Sequence, residues 1–125
     1  MSISDILHAL LSNTESSRSG ANAKIQKLKE AKSKLNRQID NYEALAHALT
    51  NVKTSTSHSA FKGTRREKFD SNMQQMVSAL KSEISNHRSN SRRIDVKITQ
   101  LEMQADSMDN QISNLIEQIA KLVTD

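Results

Sequence analysis

The chain has 125 residues, of which 35% are hydrophobic and 2% aromatic, with no Pro, no Cys and a formal net charge of +4. This length fits one domain. The absence of Cys excludes disulfides and thiolate chemistry, and no run of 18 apolar residues is present to predict a membrane span. The first 20 residues contain Arg18 as their one basic residue, which does not fit a cleavable secretory signal.

The charge is unevenly distributed along the chain. Residues 1–94 carry 16 Lys and Arg against 8 Asp and Glu, whereas residues 95–125 carry 2 against 6. A basic body is one mark of nucleic-acid binding. However, the Lys residues between Lys24 and Lys34 are spread around a helix, and almost no aromatic side chain is available for stacking on bases. The pattern therefore indicates a solvated charged surface and no nucleic-acid partner.

The first predicted element is a helix over about residues 3–53. Apolar side chains recur there at alternating spacings of three and four, which places them on one face. The segment 12–20, SNTESSRSG, consists largely of poor helix formers and predicts a break, kink or fray there. The two heptad series of this helix are Leu7, Thr14, Ala21, Leu28, Leu35, Tyr42 and Leu49, and Leu11, Arg18, Ile25, Lys32, Ile39 and Ala46.

A turn is predicted next, near residues 54–64, because the chain becomes rich in Ser and Thr and loses the heptad pattern. Both Phe residues, Phe61 and Phe69, flank Gly63 in this region. We expect Gly63 to adopt a positive φ and the two Phe side chains to plug the end of the hairpin. Thr64 and Glu67 have the spacing of a capping box, which predicts that the second helix begins at about residue 64.

The second helix is predicted over about residues 64–123 and has the clearer heptad pattern. A sustained pattern of this kind is typical of a coiled coil. Two long helices that each carry one narrow apolar stripe bury it by folding back on each other. We therefore predict an all-α fold, a long antiparallel two-helix hairpin forming a single domain over residues 1–125. The series are Met73, Leu80, His87, Ile94, Leu101, Met108, Leu115 and Leu122, and Val77, Ile84, Ser91, Ile98, Ala105, Ile112 and Ile119.

The segment 86–93, NHRSNSRR, interrupts the apolar seam with His87 and Ser91. With the chain reversing near residue 57, this segment is expected to lie opposite residues 21–30 of the first helix. Polar side chains at seam positions predict looser packing there. We interpret His87 as a tolerated polar seam residue and not as a metal ligand.

No pattern in the sequence indicates catalysis or a cofactor. The four His residues have no partner at i+4 that could complete a zinc site, and neither Gly lies in a phosphate-binding loop. The acidic residues lie on helix surfaces with no cleft that would raise a carboxyl pKa. The sequence predicts a protein that is not an enzyme and holds neither metal nor cofactor.

The two ends of the chain are more broadly apolar than one seam requires. The antiparallel arrangement brings the amino-terminal segment close to the carboxyl-terminal helix, where two helices alone cannot bury all of this surface. We expect helices of another chain to dock there. The predicted interface consists of Ile3, Ile6, Leu10, Leu11, Ile112, Ile116, Ile119 and Val123.

The stretch FKG at 61–63, followed by Phe69 eight residues after Phe61, resembles the W-x-G turn of the small helical-hairpin proteins of type VII secretion. Phe61 stands where that family has Trp. The residues FDSNMQQMVSALKSEI are similar to the family's second helix, and the chain most resembles its YwqH-like branch, the small helical partners of LXG toxins. The match covers the whole chain as architecture and about ten residues as a specific motif.

This resemblance implies a non-catalytic adaptor that packs against the helical N-terminal domain of a secreted LXG-type toxin and supports its export. It also implies a cytoplasmic protein, with co-secretion through a type VII system without a cleaved signal peptide and a second small helical partner left open. Apart from the resemblance, a homo-oligomer is also left open. The family's export signal, Tyr or Phe with an acidic residue four positions later, is absent: Tyr42, Phe61 and Phe69 are followed there by Ala, Arg and Met. A partner would then supply the signal, or the two chains would build it jointly. The alternative function is a self-associating structural coiled coil with no export role.

Overall fold

The structure, a computed structural model, describes residues 2–56 and 63–124 and consists there of two helices without strands. Helix α1 spans Ile3–Ser55 and helix α2 spans Thr64–Thr124. The two helices pack against each other in antiparallel orientation, so the predicted all-α hairpin is confirmed. The helix ends agree with the predicted bounds to within two residues.

A capping box begins α1, and side-chain hydroxyls mark its end. The Ser2 hydroxyl accepts a hydrogen bond from the Asp5 backbone N–H at 3.1 Å, and the Asp5 carboxylate accepts one from the Ser2 backbone N–H at 3.4 Å. Directly after α1 ends, the Thr56 hydroxyl donates to the Val52 carbonyl oxygen at 2.6 Å. Hydroxyls that bond nearby carbonyls in this way compete with continued helix formation.

The break predicted over residues 12–20 is wrong, because α1 is helical throughout this segment. The Arg18 side chain donates to the Asp109 carboxylate at 2.8 Å and to the Asn22 side-chain oxygen, and the Thr14 hydroxyl donates to the Leu10 carbonyl oxygen at 2.8 Å. Packing against α2 therefore outweighs the weak helix propensity of the Ser and Gly residues, as tertiary context commonly does.

Burial follows the predicted heptads closely. We label the seam positions so that Leu11, Ile25 and Ile39 of α1 and Val77, Ile84 and Ile98 of α2 are at a, and the other series of each helix is at d. The well-buried hydrophobic residues all occupy a or d: Ala21, Ile25, Ile39, Ala46, Val77, Ile84, Ile98, Leu101 and Ala105.

The contacts divide the chain into two units, and both helices contribute to each. Unit 1 contains residues 1–31 and 94–125. Its core is an apolar cluster in which Leu28 and Ile94 pack against the buried side chains of Ile25, Ile98 and Leu101. This cluster closes the seam with aliphatic side chains from both helices.

Unit 2 contains residues 32–93, and polar contacts set its register. The Ser91 hydroxyl donates to the Asn36 side-chain oxygen at 3.2 Å, and Lys53 donates to the Gln74 side-chain oxygen at 3.3 Å. In both pairs the midpoint of the two residue numbers falls between Gly63 and Thr64, and not at residue 57. The segment 86–93 consequently faces the part of α1 that contains Asn36, and its predicted placement opposite residues 21–30 is wrong.

The turn places Gly63 immediately before α2 with a φ of +59°, as predicted. This left-handed conformation disfavours any residue with a Cβ. The Glu67 backbone N–H donates to the Gly63 carbonyl oxygen at 3.2 Å, and this contact closes the first turn of α2. In the predicted capping box, the Glu67 N–H would donate to the Thr64 hydroxyl. In the structure it donates to a backbone carbonyl oxygen instead.

Neither helix, over the residues that are described, has an apolar stretch of the kind needed to cross a membrane.

Candidate partner-binding surfaces

The turn end of unit 2 is organised by Arg66, which occupies a d position at the start of α2. Its guanidinium donates to the Thr56 carbonyl oxygen at 2.9 Å and to the Lys53 carbonyl oxygen at 3.4 Å. A cation at these carbonyls stabilises the carboxyl end of α1, where the helix dipole is negative. Arg66 also pairs with Asp70 at 3.2 Å and lies 5.5 Å from the centre of the Phe69 ring.

Of the two Phe residues predicted to plug the end of the hairpin, one lies among the described residues. Phe61 lies outside the described residues. Phe69 is half-buried and carries the Arg66 guanidinium over its ring, an arrangement that favours a cation–π interaction. Sequence reasoning missed Arg66, although continuing the heptad series back from Met73 leads to this position.

The terminal part of unit 1 contains the predicted interface. Ile3 is 67% exposed and Ile6 is 45% exposed, with Leu10 at 48%. On α2, Ile116 is 52% exposed and Val123 is 80% exposed. The remaining three predicted residues are half-buried because they occupy seam positions: Leu11, Ile112 and Ile119.

The exposed apolar residues of the two helices lie on opposite sides of the seam. Ile3 and Leu10 occupy position g of α1, whereas Ile116 and Val123 occupy position e of α2. In an antiparallel pair, g lies beside g of the other helix and e beside e. The structure agrees with this pairing: Leu10 of α1 and Gln111 of α2, both at position g, line the same open groove of about 190 Å³. One partner helix could therefore not cover both sets at once.

In unit 2, e positions of the two helices also lie beside each other. Arg88 and Glu43, both at e, form an ion pair across the helices. They also line an open groove of about 680 Å³ whose floor contains the small Ala46 and the aliphatic Ile84. A small residue at a seam position leaves this depression between the longer e side chains. The looser packing expected beside segment 86–93 agrees with this groove and with a second one of about 530 Å³ lined by Ser91.

His87 is held in the seam by a neighbouring aromatic ring. It stacks on Tyr42 with ring centroids 5.5 Å apart and an interplanar angle of 14°. Its Nδ1 atom is buried and makes no hydrogen bond, which commonly costs free energy. These contacts are those of a polar seam residue. In the described ranges, 2–56 and 63–124, no group of three or more His, Asp or Glu side chains is arranged to hold a metal.

Comparison with known proteins gives no relative from which a role could be transferred. No protein-family model, no curated protein and no solved structure matches the chain. The surfaces described above are therefore the basis for any functional proposal.

Proposed function

We propose that the protein is a non-catalytic helical adaptor that packs side by side with helices of another protein. The observation that carries this proposal is the large apolar surface left exposed at the terminal part of unit 1, on both sides of the seam. Fully burying an aliphatic side chain of this size contributes roughly 1.5–3 kcal/mol. Ile3, Ile6, Leu10, Ile116 and Val123 are between 45% and 80% exposed, so further helices would bury substantial apolar area.

The partner we propose is the helical N-terminal domain of an LXG-type toxin exported by a type VII system. The turn supports this choice, because Gly63 has a positive φ and Phe69 follows it by six residues, in keeping with the resemblance to the W-x-G turn. In this proposal the adaptor meets the toxin in the cytoplasm. Because the chain lacks the family's aromatic-and-acidic export motif, the toxin or a second small helical partner supplies the signal.

Co-purification tests this proposal. The tagged chain is expressed together with the genes that flank it in its own genome, and the proteins that remain bound are identified. We expect a stable complex with a larger protein that has a helical N-terminal domain. Recovery of the chain without such a protein would contradict the adaptor function.

The second candidate function is a self-associating structural coiled coil without an export role. One specific observation favours it: exposed charges of opposite sign occupy the two sides of unit 1, so that one copy of the chain carries both halves of an electrostatically complementary pair. Deleting the gene and measuring secretion of the toxin separates the two candidates, since loss of an adaptor should reduce secretion and loss of a structural coiled coil should not.

A further inference from the structure

The two sides of unit 1 both carry exposed apolar residues, but they differ in charge. We call the surface formed by positions g and c the cationic face and the surface formed by positions e and b the acidic face. Among the described residues of unit 1, the cationic face contains no acidic residue. Its members are Lys24, Lys27, Lys97 and Lys121, with the apolar Ile3, Ile6 and Leu10. The acidic face contains Asp5, Glu15, Asp95, Glu102, Asp106 and Asp109 against Lys29, with the apolar Ile116 and Val123. The guanidinium of the seam residue Arg18 also reaches this face, where it pairs with Asp109.

The order of features along the two faces also matches. Fourteen residues separate Leu10 from Lys24 on the cationic face, and fourteen separate Ile116 from Glu102 on the acidic face. At 1.5 Å per residue, each interval is about 21 Å. On both faces the exposed apolar residues lie toward the chain termini and most of the charges lie farther in; Asp5 and Lys121 are the charged face residues near the termini. The Arg18–Asp109 pair fixes the two helices at this relative level.

We propose that the occupant of the cationic face in the free protein is the acidic face of a second copy, aligned in parallel. This alignment places apolar residues against apolar residues and Lys24 and Lys27 at the level of Glu102 and Asp106. All four of these charged side chains are exposed, so a second copy can reach them while the hairpin stays folded. Electrostatic complementarity of this kind selects the partner and its orientation.

The contact joins two different surfaces and is therefore heterologous. Such contacts close into a ring if the rotation allows it and otherwise propagate. Exposed ion pairs are individually weak and are screened by salt. The association should therefore be reversible, dependent on concentration and sensitive to ionic strength. This inference concerns copies of the chain alone and goes beyond the adaptor function.

Sedimentation of the full wild-type chain gives the first test. The Debye length shortens from about 30 Å to about 3 Å between about 0.01 M and 1 M salt. We expect assemblies larger than the 14.0 kDa chain at low salt and a several-fold weaker association at high salt. A single species of 14.0 kDa at every concentration and salt level would overturn the inference and leave the adaptor function standing.

Charge reversal gives the second test and identifies the faces. Lys24→Glu with Lys27→Glu should abolish association, and Glu102→Lys with Asp106→Lys should do the same. Mixing the two variants should restore it, because the two reversed faces, like the two native ones, are again opposite in charge. Each variant is checked for helix content by circular dichroism. If the mixture stays monomeric, or if either variant associates like the wild type, the proposed faces are wrong.

The chain offers matched controls at position f, which points away from the partner helix. Arg37→Glu with Lys68→Glu makes the same charge change as the first variant, and Glu30→Lys with Glu117→Lys the same change as the second. All four residues are exposed. We expect these variants to associate like the wild type. Loss of association in the controls would show that association depends on the net charge of the chain and not on these two faces. That result would overturn the assignment of the cationic and acidic faces.

Discussion

The two units build the same helix pair with different seams. Unit 1 closes its seam with the aliphatic cluster around Ile98 and Leu101, whereas unit 2 places Ser91 and His87 at seam positions and has open grooves beside them. Aliphatic seams give stability, and polar seam residues fix register at a cost in stability. Unit 2 therefore aligns its helices through polar seam contacts, whereas unit 1 combines an aliphatic cluster with the Arg18–Asp109 pair and leaves further apolar residues exposed.

The largest expected effect comes from one substitution made in each unit. Ile98 is 7% exposed and Ile84 is 6% exposed, so their burial is matched. Ile98→Ala should cost about 3 kcal/mol, because it opens a cavity in the apolar cluster. Ile84→Ala should cost about 2 kcal/mol, because Ile84 borders a groove that water can enter. Urea unfolding measures both values. Equal losses, or a larger loss for Ile84→Ala, would contradict the difference between the units.

Arg66 tests how the turn end of unit 2 is held. Arg66→Ala should cost about 2 kcal/mol, because it removes charge-assisted hydrogen bonds to the end of α1 and leaves the half-buried Asp70 without its partner. Arg65→Ala is the control, since Arg65 is exposed beside it. Thermal unfolding followed by circular dichroism compares the two. A midpoint for Arg66→Ala as high as that of the control would show that Arg66 does not organise this end.

Replacing the polar seam residues should make unit 2 more like unit 1. His87→Leu with Ser91→Leu should stabilise the hairpin by about 1 kcal/mol, because apolar burial replaces a buried Nδ1 that has no hydrogen-bond partner. His47→Leu with Ser85→Leu is a matched control at exposed b positions. A lower midpoint for the seam variant would mean that the Tyr42 stack and the Asn36 hydrogen bond already satisfy these residues.

The two glycines should respond to Ala with opposite signs and the smallest effects. Gly20 lies in the helical part of unit 1, and a Cβ added there would meet no packed neighbour within 4 Å, so Gly20→Ala should stabilise by about 0.5–1 kcal/mol. Gly63 has the same free space but a φ of +59°, so Gly63→Ala should destabilise by about 1 kcal/mol. Calorimetric midpoints measure both changes. Shifts of the same sign would contradict the role assigned to the Gly63 conformation.

Heptad periodicity was sufficient to predict the seam, because burial in a two-helix pair depends almost entirely on that period. The helix bounds also required the Ser- and Thr-rich composition of the turn and the spacing of Thr64 and Glu67. Heptad periodicity could not predict the continuity of α1 through residues 12–20, since Arg18 and Asp109 are 91 residues apart in sequence and stabilise that segment through the fold. The register was missed for a similar reason. It depends on cross-helix pairs such as Asn36 with Ser91, and the midpoint of a loop does not fix them.

The residues of the predicted interface that lie outside the seam are exposed, but the sequence analysis did not predict that they divide into two faces. That division requires the heptad positions of Leu10 and Ile116 to be combined with the antiparallel pairing of the helices. The role of Arg66 also depended on structure, because its acceptors are backbone carbonyls near the end of α1. Sequence patterns carry no direct signal for acceptors of that kind.

The most direct test of the proposed adaptor function is the amount of helical partner protein recovered with two double variants of the tagged chain. Ile6→Glu with Ile116→Glu places charge on the proposed docking surfaces, while Val96→Glu with Met103→Glu places it at somewhat more exposed f positions of unit 1. We predict that the first variant keeps its helix content and loses the partner, and that the second retains both. Full recovery of the partner with the first variant, or equal loss with the second, would contradict the account.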